Sequence, residues 1–325
     1  MEELMKFRSM LAATAMAIPL MTGSAIALEM GASDEPIKLT MNEWTGTQLS
    51  TRVAGAILEK AGYNVEYVTA GYGPQFIAMG DGELHGVMEV WTSNLPGQFH
   101  EMEDAGTVKD IGGLGLDARE GVLYPIHMKE LCPGLPDWEA LNACAAKFAT
   151  VETMPQGRLL DYPADWGSPG KDRFEAMGMN FQAVPAGSEG ALITELEASI
   201  AKKSPLLLTF WQPHWALSEY ETEWVALPPG TDECYNDPSW GVNPNATGDC
   251  DFSATRIFKV TWSGFDDKWP RAGELLAQFT FDATDQQNMM AAIDTRGEAM
   301  DDVVAAYMDS KSAEVDSMIA AATAK

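Results

Sequence analysis

Ile37-Lys38-Leu39-Thr40-Met41-Asn42-Glu43-Trp44-Thr45-Gly46 opens the stretch on which the fold turns. Its first five residues alternate in polarity with period two, as a half-buried strand does. Leu49, Val53, Ile57 and Leu58 then fall on one face of a helix, closed by Gly62. Asn64 to Thr69 alternates again. Tyr72-Gly73-Pro74-Gln75 starts a short helix carrying Phe76, Ile77 and Met79, and Asp81-Gly82 marks a turn. Gly86 to Val90 reads as a third strand. Strand, helix, strand, helix, strand predicts a parallel sheet with helical crossovers.

The pattern restarts near Gly121. Val122-Leu123-Tyr124, Arg158-Leu159-Leu160, Phe181 to Val184 and Leu206 to Phe210 read as strands. Between them lie a helix capped by Asp137, a helical stretch from Gly170 to Met177, and a helix capped by Ser188. This is a second α/β unit of similar size. Residues 228–251, rich in Pro, Gly, Asp and Asn, read as a long ordered loop. Helices follow from Asp285 to Ile293 and from about Glu298 onward. At 325 residues, two lobes of α/β class are expected rather than one core.

The first residues read differently. Lys6 and Arg8 precede an apolar run from Met10 to Met21, and Ser24-Ala25-Ile26-Ala27 gives an A-x-A cleavage pattern. This predicts a secretory signal peptide over 1–27. A membrane anchor is the alternative, but the run falls short of the roughly 20 apolar residues that span a bilayer. Cys132, Cys144, Cys234 and Cys250 all follow that segment, and an even count in an exported chain implies disulfides. Three pairings are open. The local pairs, Cys132–Cys144 and Cys234–Cys250, are favoured because each closes an irregular loop, worth roughly 3 kcal/mol for about 15 residues. A four-Cys zinc site lacks any C-x-x-C pair.

The 21 basic and 48 acidic residues give a net charge of −27, with no basic face for phosphate, so nucleic acid is excluded as a partner. An anionic membrane surface is disfavoured for the same reason. Catalytic patterns are missing: no G-x-S-x-G, H-E-x-x-H or P-loop occurs. Gly113-x-Gly115-x-x-Ala118 mimics a dinucleotide fingerprint without the strand, turn and helix that would frame it.

Tryptophan placement carries more information. Trp44 follows the first strand, Trp91 the third, Trp211 the strand from Leu206 to Phe210, and Trp166 sits in a strand-to-helix loop. In open α/β sheets, ligands bind beyond the carboxyl ends of the strands. Two tryptophans from each unit therefore stand where a ligand would sit, and aromatic cages suit quaternary ammonium groups. Core packing is the competing reading, and Trp138, Trp215, Trp224, Trp240, Trp262 and Trp269 are assigned to it.

Val90-Trp91-Thr92, Asp165-Trp166-Gly167-Ser168-Pro169-Gly170, Thr209-Phe210-Trp211-Gln212-Pro213-His214-Trp215 and Asn42-Glu43-Trp44-Thr45 together resemble the periplasmic substrate-binding proteins of glycine betaine, proline betaine and choline ABC importers. The resemblance spans nearly the whole chain after the leader. It implies a two-lobe periplasmic binding protein fold with a hinge between lobes. Lobe 1 is 34–119 plus about 230–325; lobe 2 is 120–229. It implies a soluble periplasmic monomer that needs no cofactor and works with a membrane permease and ATPase. It further implies capture and delivery, with Trp44, Trp91, Trp166 and Trp211 boxing the trimethylammonium group. An enzyme acting on a methylated amine and a sensory binding protein are the alternatives from other classes.

One departure from the family pattern bears on the ligand. Aligning Pro125 on the family's proline puts Glu120 where other members carry an apolar or aromatic residue. A carboxylate there repels the carboxylate of betaine and suits a cation, or an amine oxide that shares a proton with an acid. The order expected is trimethylamine N-oxide, then choline, then glycine betaine. Glu130 and Glu43 are weaker candidates for the same role, and a solvated Glu120 beside Arg119 is the competing reading. Asn243, Asn245, Thr247 and Asp249 place oxygens at alternate positions, in the manner of a calcium loop that lacks its twelfth-position Glu. A structural calcium there is the one metal expected.

Overall fold

The structure, a computed structural model, describes residues 27–324. The leader expected over 1–27 lies, but for Ala27, outside the described residues. β1 (Ile37–Met41) and β2 (Val65–Thr69) pair in parallel, Ile37 opposite Val65. β3 (Gly86–Trp91) runs parallel to β1 on its other side. The helix Thr45–Lys60 crosses over between β1 and β2, burying Leu49, Val53, Ile57 and Leu58. The opening strand-helix pattern therefore folds as its periodicity predicts.

β4 (Val108–Pro125) departs from expectation: it is one strand of 18 residues. Val122-Leu123-Tyr124 is its end, not the start of a new unit. Its first part pairs with β9 (Thr255–Trp262) and its last part with β7 (Leu208–Gln212) and β8 (Thr222–Trp224). Glycines hid it. Gly112 and Gly115 have φ of +107° and +93°, and the register with β9 slips on either side of Gly113. Such bulges break the alternation by which a strand is read. The fingerprint-like glycines at 113 and 115 are thus strand residues.

β5 (Gly157–Asp161) pairs in parallel with β6 (Phe181–Pro185) and β7. The order is β2-β1-β3-β9-β4-β7-β5-β6, with β8 beside β4. β9 runs antiparallel between β3 and β4, so late sequence enters the first sheet. The helix Ala283–Asp294 packs on the helix Thr45–Lys60, and Lys60 pairs with Asp316 at 2.7 Å. That exposed pair contributes at most about 1 kcal/mol. The buried contact of Leu49, Val53, Leu275 and Met290 dominates, at about 1.5–3 kcal/mol per side chain.

Two hydrophobic cores result. One gathers Leu39, Phe76, Val90, Phe258 and Trp269; the other gathers Tyr124, Leu141, Leu159, Phe174 and Leu207. Both local disulfides form, Cys132–Cys144 and Cys234–Cys250, with Cα separations of 6.0 and 6.4 Å. The second staples the 228–251 segment, which carries only the short helix Asp232–Asn236. Among the described residues no helix is long and apolar enough to cross a membrane.

Candidate aromatic ligand cage

The strand ends converge. Trp91 closes β3, and Trp44 caps the helix that follows β1. Trp211, expected just after a strand ending at Phe210, lies inside β7, which runs on to Gln212, and Trp166 ends a short 3-10 turn after β5. The cis Gln212–Pro213 bond follows Trp211 directly. All four indoles are at least nine-tenths buried, and all four line one cavity. Its free volume is about 30 Å³, against the 10–15 Å³ or so that one water needs, so it suits a compact solute of a few heavy atoms.

The rings meet edge to face. Trp166 packs on Trp44 at 5.1 Å between centroids and on Trp211 at 5.6 Å. Trp44 comes from the first sheet and Trp166 from the second, so this contact seals the cavity between the two units. Tyr72 stands 5.7 Å from Trp44, and Tyr162 stands 5.6 Å from Trp211. Both tyrosines line the cavity. Neither was singled out from sequence; Tyr162 directly follows β5, and Tyr72 opens the helix Tyr72–Gly80, with two residues between it and the end of β2.

Glu120 also lines the cavity. It sits in β4 opposite Trp211 and is 4% exposed, so the solvated reading of this residue is overturned. Asn94 Nδ2 donates to its Oε1 at 3.2 Å, and Thr255 Oγ1 approaches Oε2 at 3.5 Å. Burial pushes the Glu120 carboxyl up; the side chains of Ser93, Tyr162 and Asn94 pull it back, as does the charge of Arg173. The Ser93 and Tyr162 hydroxyls are themselves buried without a well-formed hydrogen bond. A buried acid with two loosely held hydroxyls beside it marks the polar end of an otherwise aromatic cavity. Such groups are costly unless something pairs with them.

Behind the cage lies a carboxylate that sequence reading missed. Glu89, in β3, is 2% exposed. Its Oε1 accepts from Trp44 Nε1 at 2.9 Å and from Trp91 Nε1 at 3.1 Å. Its Oε2 accepts from Ser50 Oγ at 2.8 Å and Gln286 Nε2 at 3.0 Å. The signal was an acid inside a strand whose six residues are all buried.

Glu43 and Glu130 stand away from the cage. Glu43 does not reach the cage; its Oε1 accepts the Glu189 backbone N–H at 3.2 Å, in a separate groove. Glu130 is exposed on the short helix Met128–Leu131. The calcium loop spends its oxygens internally. Asn243 Oδ1 caps the Asn245 N–H at 3.1 Å, and buried Asp249 accepts the Asn243 N–H through Oδ2 at 2.5 Å. Among the described residues no group of three or more His, Cys, Asp or Glu is placed to hold a metal.

Residues 35–310 match the family model described as the substrate binding domain of ABC-type glycine betaine transport systems. The trimethylamine N-oxide-binding protein of Pelagibacter ubique is 29% identical over 271 residues, covering 81% of this chain and 83% of that one. Two solved structures share the fold. A lactococcal protein closed on glycine betaine superposes with a TM-score of 0.67 at 17% identity, over 88% of this chain and all of that one. A choline-binding protein with choline gives 0.72 at 14% identity, over 89% and 93%. The paired α/β units, their shared strand and the family match over 35–310 lead to one conclusion: this chain belongs to the substrate-binding components of ABC importers for quaternary ammonium compounds, with the two-lobe periplasmic binding protein fold, and is not an enzyme.

Proposed function

We propose that this chain captures trimethylamine N-oxide in the exported compartment and presents it to a membrane permease and its ATPase. Lobe 1 (34–119 plus about 230–325) and lobe 2 (120–229) close on the ligand about a hinge. Trp44, Trp91, Trp166 and Trp211 hold the three methyl groups, and Tyr72 and Tyr162 complete the walls. Each indole face attracts the positive nitrogen, by about 2 kcal/mol when desolvated. Glu120 takes the oxygen: one proton shared between carboxyl and N-oxide makes a charge-assisted hydrogen bond.

The observation that carries this reading is Glu120 at the polar end of the aromatic cavity. A betaine carboxylate there would face a second carboxylate, a repulsion a specific site avoids. The 29% identical relative of that name and the small cavity volume lend support. Choline is the second reading, because an ionised Glu120 also suits a cation that carries a hydroxyl. The two disulfides fit an oxidising compartment.

Calorimetric titration of the ligand-stripped protein with trimethylamine N-oxide, choline and glycine betaine tests this, each also against Glu120→Gln. Tight N-oxide binding weakened in the variant is expected. Tight betaine binding indifferent to Glu120 would return the chain to betaine capture. Binding of none would reopen the sensory and enzymatic readings.

A further inference from the structure

Glu89 touches no ligand space, yet two of the four box indoles donate to the same one of its oxygens. All four hydrogen-bonding positions of its carboxylate are taken by donors: Trp44, Trp91, Ser50 and Gln286. The two indoles and the Gln286 amide have no proton-accepting alternative at these N–H groups. Ser50 is the one partner that could instead accept a proton from Glu89, by turning its own hydroxyl to the Gly46 carbonyl at 3.1 Å; the three N–H donors favour the ionised carboxylate. The nearest fixed charges within hydrogen-bonding reach are none; its partners are all neutral. Burial pushes the Glu89 carboxyl up, and the four donors pull it back toward the ionised form directly behind the rings.

We propose that Glu89 is the buried counter-charge of the cage. Ionised, it fixes Trp44 and Trp91 in place and sets the site's preference for a cationic nitrogen over a neutral carbon of the same shape. The inference rests on the reading that this cavity holds a trimethylammonium group. An indole that donates to an anion gains electron density on its face, and the anion itself adds a favourable field at the cavity. Ser50 and Gln286, from the helices Thr45–Lys60 and Ala283–Asp294, hold the carboxylate from behind. Cage geometry and cage potential therefore share one support.

Glu89→Gln separates the two roles. Its amide oxygen can keep both indole bonds, while its NH₂ faces Ser50 and Gln286. Both can turn an acceptor toward it: the Ser50 hydroxyl by rotating, the Gln286 amide by flipping. Shape is kept and charge is lost. The ligand pair is trimethylamine N-oxide and tert-butanol, which replaces the positive nitrogen by carbon. Dissociation constants come from tryptophan fluorescence, with circular dichroism checking the fold. The preference for the N-oxide should fall about tenfold in Glu89→Gln, with tert-butanol binding nearly unchanged. Equal weakening of both ligands, or of neither, overturns the proposal. Should Glu89→Gln fail to fold, Glu89→Asp draws the charge back by one methylene, and its preference must fall severalfold; an unchanged preference refutes the role. A wild-type protein that binds no trimethylammonium compound refutes the proposed function instead, and is recognised before any variant is made.

Discussion

Trp166→Ala removes the ring that lobe 2 lays against lobe 1. Trp166 is 7% exposed and meets Trp44 at 5.1 Å, Trp211 at 5.6 Å and Tyr162 at 5.8 Å. Its contribution to binding has two parts. One desolvated cation–π face is worth about 2 kcal/mol. The contact with Trp44 forms only when the lobes are closed and adds about 0.5–1.5 kcal/mol. Together they come to roughly 2.5–3.5 kcal/mol, so the dissociation constant should rise about 70- to 400-fold. Contacts to Trp211 and Tyr162 lie within lobe 2 and persist in the open form, so they are left out of that sum. Calorimetry on the variant reads the change, and Trp240→Ala serves as control, because Trp240 is 37% exposed and lies outside the cavity. A loss below fivefold for Trp166→Ala, or an equal loss in the control, would refute the cage as the source of affinity.

Glu120→Gln should stabilise the ligand-free protein at neutral pH. Because burial raises the folded pKa of Glu120, the folded state keeps its proton longer than the unfolded state. Stability from this group is therefore present below the unfolded carboxylate pKa and falls as pH rises toward the folded value. The variant's gain, on the order of 1–3 kcal/mol, should appear in thermal unfolding at pH 7.5 and vanish near pH 4. His85 has the opposite sign: burial lowers its pKa from 6.5 to about 4, and its Nδ1 accepts the Lys38 N–H at 2.9 Å. Its stability is full above the unfolded pKa and is lost as pH falls from about 6.5 toward 4. Full linkage is worth about 3 kcal/mol. His85→Gln should flatten this window in urea titrations run across it. Replacing both Cys234 and Cys250 with Ser should cost about 3 kcal/mol in the same titrations, because the link closes a segment of 16 residues.

The four tryptophans were legible because a strand end is a place that sequence can mark. Period-two alternation locates each strand, and the residue after it must stand at the mouth of the sheet. Tyr162 obeys the same rule, whereas Tyr72 stands at the start of the helix after β2, where that rule gives no mark. β4 was illegible for a different reason: positive-φ glycines and bulges destroy the alternation that defines a strand. Glu89 could have been flagged, because Val-Met-Glu-Val places an acid in a run with no polar alternation. Its partners could not, since Gln286 lies 197 residues away in sequence.

The glycine-rich strand also explains where the proposed specificity is placed. Among the described residues β4 alone pairs with strands of both sheets, and Glu120 lies within two residues of the point where its partner changes from β9 to β7. Ala118 is opposite Thr255 and Glu120 is opposite Trp211. A ligand oxygen bonded to Glu120 is therefore held at the one strand common to both lobes, whatever their separation. The methyl groups, by contrast, meet a complete box only when Trp44 and Trp166 come together. Under the proposed function, oxygen recognition precedes closure and the aromatic walls supply the free energy that closes. Glu120→Gln should then slow association and leave the closed complex's tryptophan fluorescence at saturation unchanged, whereas Trp166→Ala should alter that end point. Stopped-flow fluorescence distinguishes them, and an altered saturating signal in Glu120→Gln with unchanged association would reverse the order argued here.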